Sequence, residues 1–309
     1  MKNFKKVFLI IALSITLTGC TQYVKDGKKT VINNETGQTL TSNILCKPTE
    51  KNLIDLYTKN NIDVEKLPSC EKYKYNDTKY NGLWEALFVK PLALVIIWTG
   101  KLIGNYGIAV MLIGLLIRLI IAPLTKKSMA QSEKMKEAQK DLNRLETKYQ
   151  NRTDKESMMA KSQEQLMIYQ KYGINPISGC LVSFIQLPLF FAFLEAINRV
   201  PAIFEEKLLG LHLGTTPWVG ISKGNYLYII LIVLIIASTY FSFRNSMSSV
   251  SGGGTEQEKQ TRFMMMFMLV FISIASFSLP TAIALYWIVT NLFAVVQTEI
   301  VKRKMQKWI

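Results

Sequence analysis

The chain has 309 residues and a formal net charge of +15, yet 49% of it is hydrophobic and its mean hydropathy is +0.18. A chain both this basic and this apolar segregates charge along its length, which points to a multispanning membrane protein and away from direct DNA binding. One histidine (His212) and four scattered cysteines exclude a zinc site needing two histidines. No phosphate loop, dinucleotide glycine motif or H-E-x-x-H occurs, so no cofactor or metal is expected and catalysis is the weaker hypothesis.

Residues 1–19 read as a signal peptide: Lys2, Lys5 and Lys6 precede an apolar stretch, Val7 to Leu17, too short to span comfortably. The stretch closes on Leu17-Thr18-Gly19-Cys20, which resembles the lipobox of bacterial lipoproteins. That resemblance implies cleavage before Cys20 and a lipid on its sulfur, tethering this end to the outer leaflet; a plain signal anchor is the other reading. Residues 20–83 form a polar extracytoplasmic segment with turn signals at Asn33-Asn34 and Asn60-Asn61. Cys46 and Cys70 both fall here, on the oxidising side, so they are expected either to form a disulfide or to remain two thiols. No function for the segment follows from its residues.

Residues 84–103 are amphipathic: Trp84, Leu87, Phe88 and Pro91 lead into Leu92 to Trp98, a run bracketed by Lys90 and Lys101. The unbroken apolar part is under about ten residues, so the helix is expected to lie in the outer interface, with a further span as the alternative. Five stretches qualify as spans: 104–124, 178–197, 225–243, 263–279 and 281–300, the last two separated at Leu279-Pro280. Segment 126–175 carries 11 Lys and Arg residues, 244–262 carries Arg244, Lys259 and Arg262, and the tail 301–309 is basic, whereas 198–224 has only Arg199, Lys207 and Lys223. The positive-inside rule then places the start outside and the C-terminus in the cytoplasm of a bacterial cell membrane.

Within 126–175 the pattern predicts a helical hairpin. Its first arm runs from Ser128 to Tyr149 and carries Met135, Leu142, Leu145 and Tyr149. Asn151-Arg152 breaks the pattern, and a capping box over Thr153 to Glu156 opens a second arm with Met158, Met159, Leu166 and Tyr169, ending at Gly173. With so few apolar residues the hairpin is expected to be mobile, its charges mostly a solvated face. Functionally it reads as a docking arm for a ribosome or a targeting factor. The fold class is therefore an all-α polytopic membrane protein: a five-transmembrane-helix core over 104–300, a cytoplasmic helical hairpin and an external amphipathic helix.

Several polar residues lie inside the apolar stretches. Arg118 sits about eight residues, or roughly 12 Å, above the inner boundary set by Lys126, where insertion costs about 2.5–3.5 kcal/mol. Snorkelling to the inner headgroups is one explanation; a wet cavity is the other. Gln186 on the second span favours the cavity. So do Asn291 with Trp287 on one face of the fifth span, and Tyr286 with Gln297 on the neighbouring stripe. Glu195 and Glu299, near span ends, are expected to be solvated, and no acidic residue falls at mid-span. The methionines Met264, Met265, Met266 and Met268 suit helix packing or lipid contact, or an adaptable apolar surface.

The strings Ile117-Arg118-Leu119-Ile120-Ile121-Ala122-Pro123-Leu124, Tyr172-Gly173-Ile174-Asn175-Pro176, Gly179-Cys180-Leu181, Phe184 to Phe190 and Leu285 to Phe293 followed by Gln297 resemble the YidC/Oxa membrane protein insertases over roughly 84–300. The lipobox resembles the form found in Gram-positive bacteria. The resemblance implies a groove open to cytoplasm and lipid, closed outside, with Arg118 as its positive charge and Gln186 and Trp287 lining it. It implies nascent membrane proteins as partners, with the Sec translocon a further possible one, and a non-enzymatic insertase working without ATP hydrolysis. The fourth span departs from the family in having Leu269, not proline, after its methionines. A small-solute transporter or channel using the same polar cavity is the rival reading.

Overall fold

The computed structural model describes residues 21–152, 154–175, 188–247 and 256–306. The readings that fall on the signal peptide with Cys20, on Thr153 and on 176–187, which include Gln186 and the start of the second expected span, therefore lie outside the described residues. The chain divides into two compact units.

The first unit holds the described residues up to Leu115, with 188–235 and 275–289. Residues 21–80 are a small folded module with a core of their own. Strand β1 (Lys25–Asp26) pairs antiparallel with β2 (Lys29–Thr30), and α1 (Lys51–Lys59) buries Leu53 and Tyr57 against Val24, Leu40, Ile44 and Val64. The Tyr57 hydroxyl donates to the Thr41 carbonyl at 2.9 Å, and burial pushes its phenol far above the usual range. Cys46 and Cys70, both buried, are joined by a disulfide with their Cα atoms 4.8 Å apart.

Next, a π turn (Glu85–Val89) runs without a break into α2 (Lys90–Ile103). Pro91 sits in the first turn, where the missing N–H has no intrahelical partner to lose. Val89, Ala93, Ile96, Ile97 and Gly100 are buried, but the exposed face is also apolar, with Leu87, Val95, Trp98 and Leu102 on it. From Glu85 to Ile103 the helix is long and apolar enough to cross a membrane. The expectation that it is too short counted only its unbroken apolar run. Lys90, which interrupts that run, is itself buried at 3% exposure. The unit also holds α5 (Pro188–Asn198), α6 (Pro201–Glu205), the hairpin of β3 (Lys207–Leu208) and β4 (Leu211–His212), and α7 (Pro217–Ser222). Its largest fully buried side chains include Phe193, Ile96, Ile197, Ile203 and Leu213.

The second unit holds residues from 116 to the end of the hairpin, 236–274 and 290 onward. Helix α3 (Tyr106–Lys148) is one 43-residue rod, about 65 Å long at about 1.5 Å per residue. The first span and the first hairpin arm, expected as separate helices, are thus continuous through Pro123. The bond that proline removes is local, and the Thr125 hydroxyl donates to the nearby Ala122 carbonyl at 2.9 Å. Asn151 turns the chain in a left-handed conformation (φ 69°). Helix α4 (Lys155–Lys171) then starts at Asp154, whose carboxylate accepts from the Ser157 N–H at 2.8 Å; the expected cap residue, Thr153, lies outside the described residues.

Between the hairpin arms Ala138, Leu142, Tyr169 and Ile174 form a small core, whereas Met158, Met159 and Leu166 are exposed. The hairpin charges are not only a solvated face. Lys148 pairs with Glu164 at 2.5 Å, Lys161 with Glu146 at 2.6 Å and Lys171 with Asp141 at 2.7 Å, each across the arms. Lys171 holds the Asp141 carboxyl below its ordinary 3.8, and Lys148 holds Glu164 below 4.5. A depressed folded-state value contributes stability above the unfolded value and loses it as pH falls through the folded one. The arms are therefore expected to separate more readily below about pH 4 than at pH 6, by a modest amount because the pairs are solvated. Spin labels at Thr147 and Gln163 check this: their distance distribution should broaden on acidification.

The remaining helices are α8 (Leu227–Met247), α9 (Glu256–Ala275) and α10 (Thr281–Gln306). Helix α9 ends at Ala275, four residues before the expected break, and α10 starts just after Pro280. Among the described residues, stretches of α3, α8 and α10 are long and apolar enough to cross a membrane, as Glu85–Ile103 is; Pro188–Asn198 and Arg262–Ala275 are shorter.

Candidate functional site

The second unit contains a layer of polar side chains inside these apolar helices. Arg118 lies on α3, half-buried, with its Nε atom enclosed. One and two turns further along the same helix are Ala122 and Thr125. Gln297 of α10 donates to both, at 3.2 Å to the Ala122 carbonyl and 2.5 Å to the Thr125 hydroxyl. Two turns back along α10, Asn291 is buried and donates to the Thr239 hydroxyl of α8 at 3.4 Å. Arg118 precedes Ala122 by four residues and Asn291 precedes Gln297 by six. At about 1.5 Å per residue these offsets are about 6 and 9 Å, so α3 and α10 carry polar groups at similar levels. Ser238, Thr239, Thr290 and Thr298 are buried as well. Hydrogen bonding across helices explains why such groups are tolerated in an apolar setting.

Tyr286 and Trp287 belong to a different environment, in the first unit. Tyr286 is buried and stacked on Phe193 with ring centroids 4.2 Å apart; the Trp287 ring meets Phe190 edge-on at 5.3 Å. Sequence spacing groups all four α10 residues by stripe. The structure gives Asn291 and Gln297 polar neighbours and gives Tyr286 and Trp287 aromatic ones.

A second polar cluster was not legible as a unit. Glu195, expected to be solvated, is only 3% exposed, as is Lys90, while Glu85 is 5% and Arg199 2% exposed. The Arg199 guanidinium pairs with both Glu85 and Glu195. Trp84 Nε1 donates to Glu195 at 2.8 Å, and the Lys90 ammonium lies 3.4 Å from Glu85 while donating to the Thr78 and Lys79 carbonyls at 2.9 Å. Two carboxylates and two cations neutralise each other. The i, i+4 spacing of Glu195 and Arg199 was a local signal; the 114-residue separation of Glu85 and Arg199 was not. Glu299, by contrast, is exposed and pairs with Arg303 at 3.1 Å.

Apolar helices of spanning length, with polar and cationic groups held within them, define a polytopic α-helical membrane protein. The family model described as 60Kd inner membrane protein matches residues 98–307. The chain is 34% identical over 220 residues to membrane protein insertase MisCA of Bacillus subtilis, an alignment covering 71% of this chain and 79% of that one. It is 32% identical over 225 residues to membrane protein insertase YidC 2 of Bacillus anthracis, covering 72% and 83%. A crystal structure of an active YidC insertase with its first transmembrane domain resolved aligns with a TM-score of 0.48 and 23% identity, over 79% of this chain and 52% of that chain. The chain belongs to the YidC/Oxa family of membrane protein insertases.

Proposed function

We propose that this protein inserts nascent membrane proteins into the bilayer of a bacterial cell without a covalent step, with Arg118 as the residue that engages the polar segment in transit. The observation that carries the reading is the position of Arg118, half-buried within an apolar stretch of α3 and one to two turns from the Gln297–Thr125–Ala122 contacts. The task is to bring a short polar tail or loop outward while its apolar neighbour enters lipid. A polar recess within the spans shortens the dehydrated path. A guanidinium there attracts acidic residues of the tail more strongly than it would in water. Release follows as the apolar segment gains more from lipid than the carboxylate gains from the arginine. A membrane potential positive outside adds about 2.3 kcal/mol per charge per 100 mV.

In this reading the N-terminus is lipidated at Cys20 and extracytoplasmic, and the basic tail and hairpin are cytoplasmic. The hairpin serves as the arm for ribosome or targeting factors, and insertion proceeds alone or beside the Sec translocon. Vesicles containing only this protein are expected to insert a small one- or two-span substrate without ATP. Ion or solute flux without insertion would instead support the transporter or channel reading.

A further inference from the structure

We propose that residues 21–80 are a positioning module: through the adjacent carboxylates Glu205 and Glu206 they fix the outer end of α3, the helix that carries Arg118, and the Cys46–Cys70 disulfide keeps that hold intact. This deepens the insertase reading and rests on it for its functional consequence.

The geometry lies wholly within the first unit. Glu205 turns toward the module. Its carboxylate accepts from the Thr49 N–H at 2.7 Å, the Glu50 N–H at 2.9 Å and the Thr49 hydroxyl at 2.7 Å, all at the start of α1. Glu206 turns the other way and accepts from the Tyr106 N–H, the first residue of α3, at 2.5 Å. Two neighbouring carboxylates thus each satisfy backbone donors at a helix N-terminus, where a negative charge is electrostatically favoured. Burial nonetheless pushes the Glu206 carboxyl up, against the backbone donors of Tyr106 and Gly107 that hold it down.

Further contacts bind the module to the same loop. The Leu45 N–H donates to the Arg199 carbonyl at 2.8 Å, the Thr216 N–H to the Thr36 carbonyl at 2.7 Å, and the Lys223 ammonium to the Glu35 carbonyl at 2.8 Å. Gly37, at φ +75°, packs so closely that a Cβ there would lie 2.3 Å from the Thr216 hydroxyl. The disulfide sits at the centre of these contacts in sequence: Cys46 directly follows Leu45, and three residues separate it from Glu50. The Cys70 sulfur also lies 3.6 Å from the Lys47 carbonyl. Breaking the bridge releases the segment that carries Leu45, Thr49 and Glu50. The effect reaches Arg118 because α3 is continuous from Tyr106, twelve residues earlier, or about 18 Å along the axis.

The test uses the full chain in lipid nanodiscs and vesicles. Amide exchange is compared for the wild type, for the Cys46→Ser/Cys70→Ser double variant, and for Glu205→Ala and Glu205→Gln. In the double variant and in Glu205→Ala, protection at 106–110 and 199–216 should fall about tenfold or more, the scale of losing charge-assisted bonds to a helix start, while α8 keeps its protection. Glu205→Gln, which retains an acceptor oxygen, should recover most of it. In vesicles the same variants should lose insertion of acidic-tail substrates several-fold while keeping insertion of neutral-tail ones, a split that general destabilisation would not produce. Even if the double variant unfolds residues 21–80 outright, unchanged protection at 199–216 and 106–110 overturns the proposal. So does lost protection with acidic-tail insertion at the wild-type level. A wild-type chain that inserts neither substrate refutes the insertase reading, and exchange alone then decides the positioning role.

Discussion

Replacing Arg118 with alanine is expected to reduce insertion of substrates with acidic tails by at least about tenfold, and replacement with lysine to restore part of it. Two unit charges 4 Å apart interact by about 4 kcal/mol at an effective dielectric near 20, against about 1 kcal/mol in water. Every 1.4 kcal/mol is about tenfold, so even a partly solvated contact gives the alanine variant a measurable deficit. Lysine keeps the charge but presents a compact ammonium in place of a fork that engages a carboxylate through two bonds. Insertion is read as protease protection of the translocated tail in vesicles. The Gln297–Thr125 contact two turns away is not altered directly by either change, so folding of the alanine variant serves as the internal control.

The largest effect on stability is expected at Arg199. Its guanidinium pairs with Glu85 and Glu195, and all three are at least 95% buried. Arg199→Met removes the guanidinium from both carboxylates, leaving the Trp84 indole N–H on Glu195, and Lys90 with the Asn81 amide on Glu85. Removing one member of a buried ionic group costs about 3–5 kcal/mol because the remaining charge stays desolvated. The double variant Glu195→Gln/Arg199→Met should recover part of that loss, since the carboxylate that Arg199 leaves behind is gone and Lys90 still pairs with Glu85. Thermal unfolding in detergent gives the comparison, and equal losses in the single and double variants would show that packing, not charge, dominates the cluster.

The sequence displayed the features that repeat locally. Apolar stretches of α3, α8 and α10 showed as spans, the hairpin as two helices about Asn151, and Arg118, Asn291 and Gln297 as polar groups in apolar surroundings. What stayed hidden depends on contacts distant in the chain. The core of residues 21–80 is assembled from Val24, Leu40, Tyr57 and Val64, too sparse for any helical or strand period to reveal. Lys90 and Glu195 looked like boundary residues because charge near a span end is usually solvated. Here Glu85 and Arg199 neutralise them from positions that no local spacing links. The first span and the first hairpin arm were expected as separate helices, yet a proline within a long helix costs one backbone bond and a local clash, and α3 continues through Pro123 for 25 further residues to Lys148.

The central claim is that the positive charge at 118 acts on the substrate's own negative charge. A four-way comparison in vesicles measures this most directly, pairing the wild type and Arg118→Ala with one substrate carrying either an acidic tail or the same tail neutralised by Asp→Asn and Glu→Gln changes. The account predicts a large loss confined to the variant with the acidic tail, and near-equal insertion in the two neutral-tail arms. Equal proportional losses for both tails would contradict it.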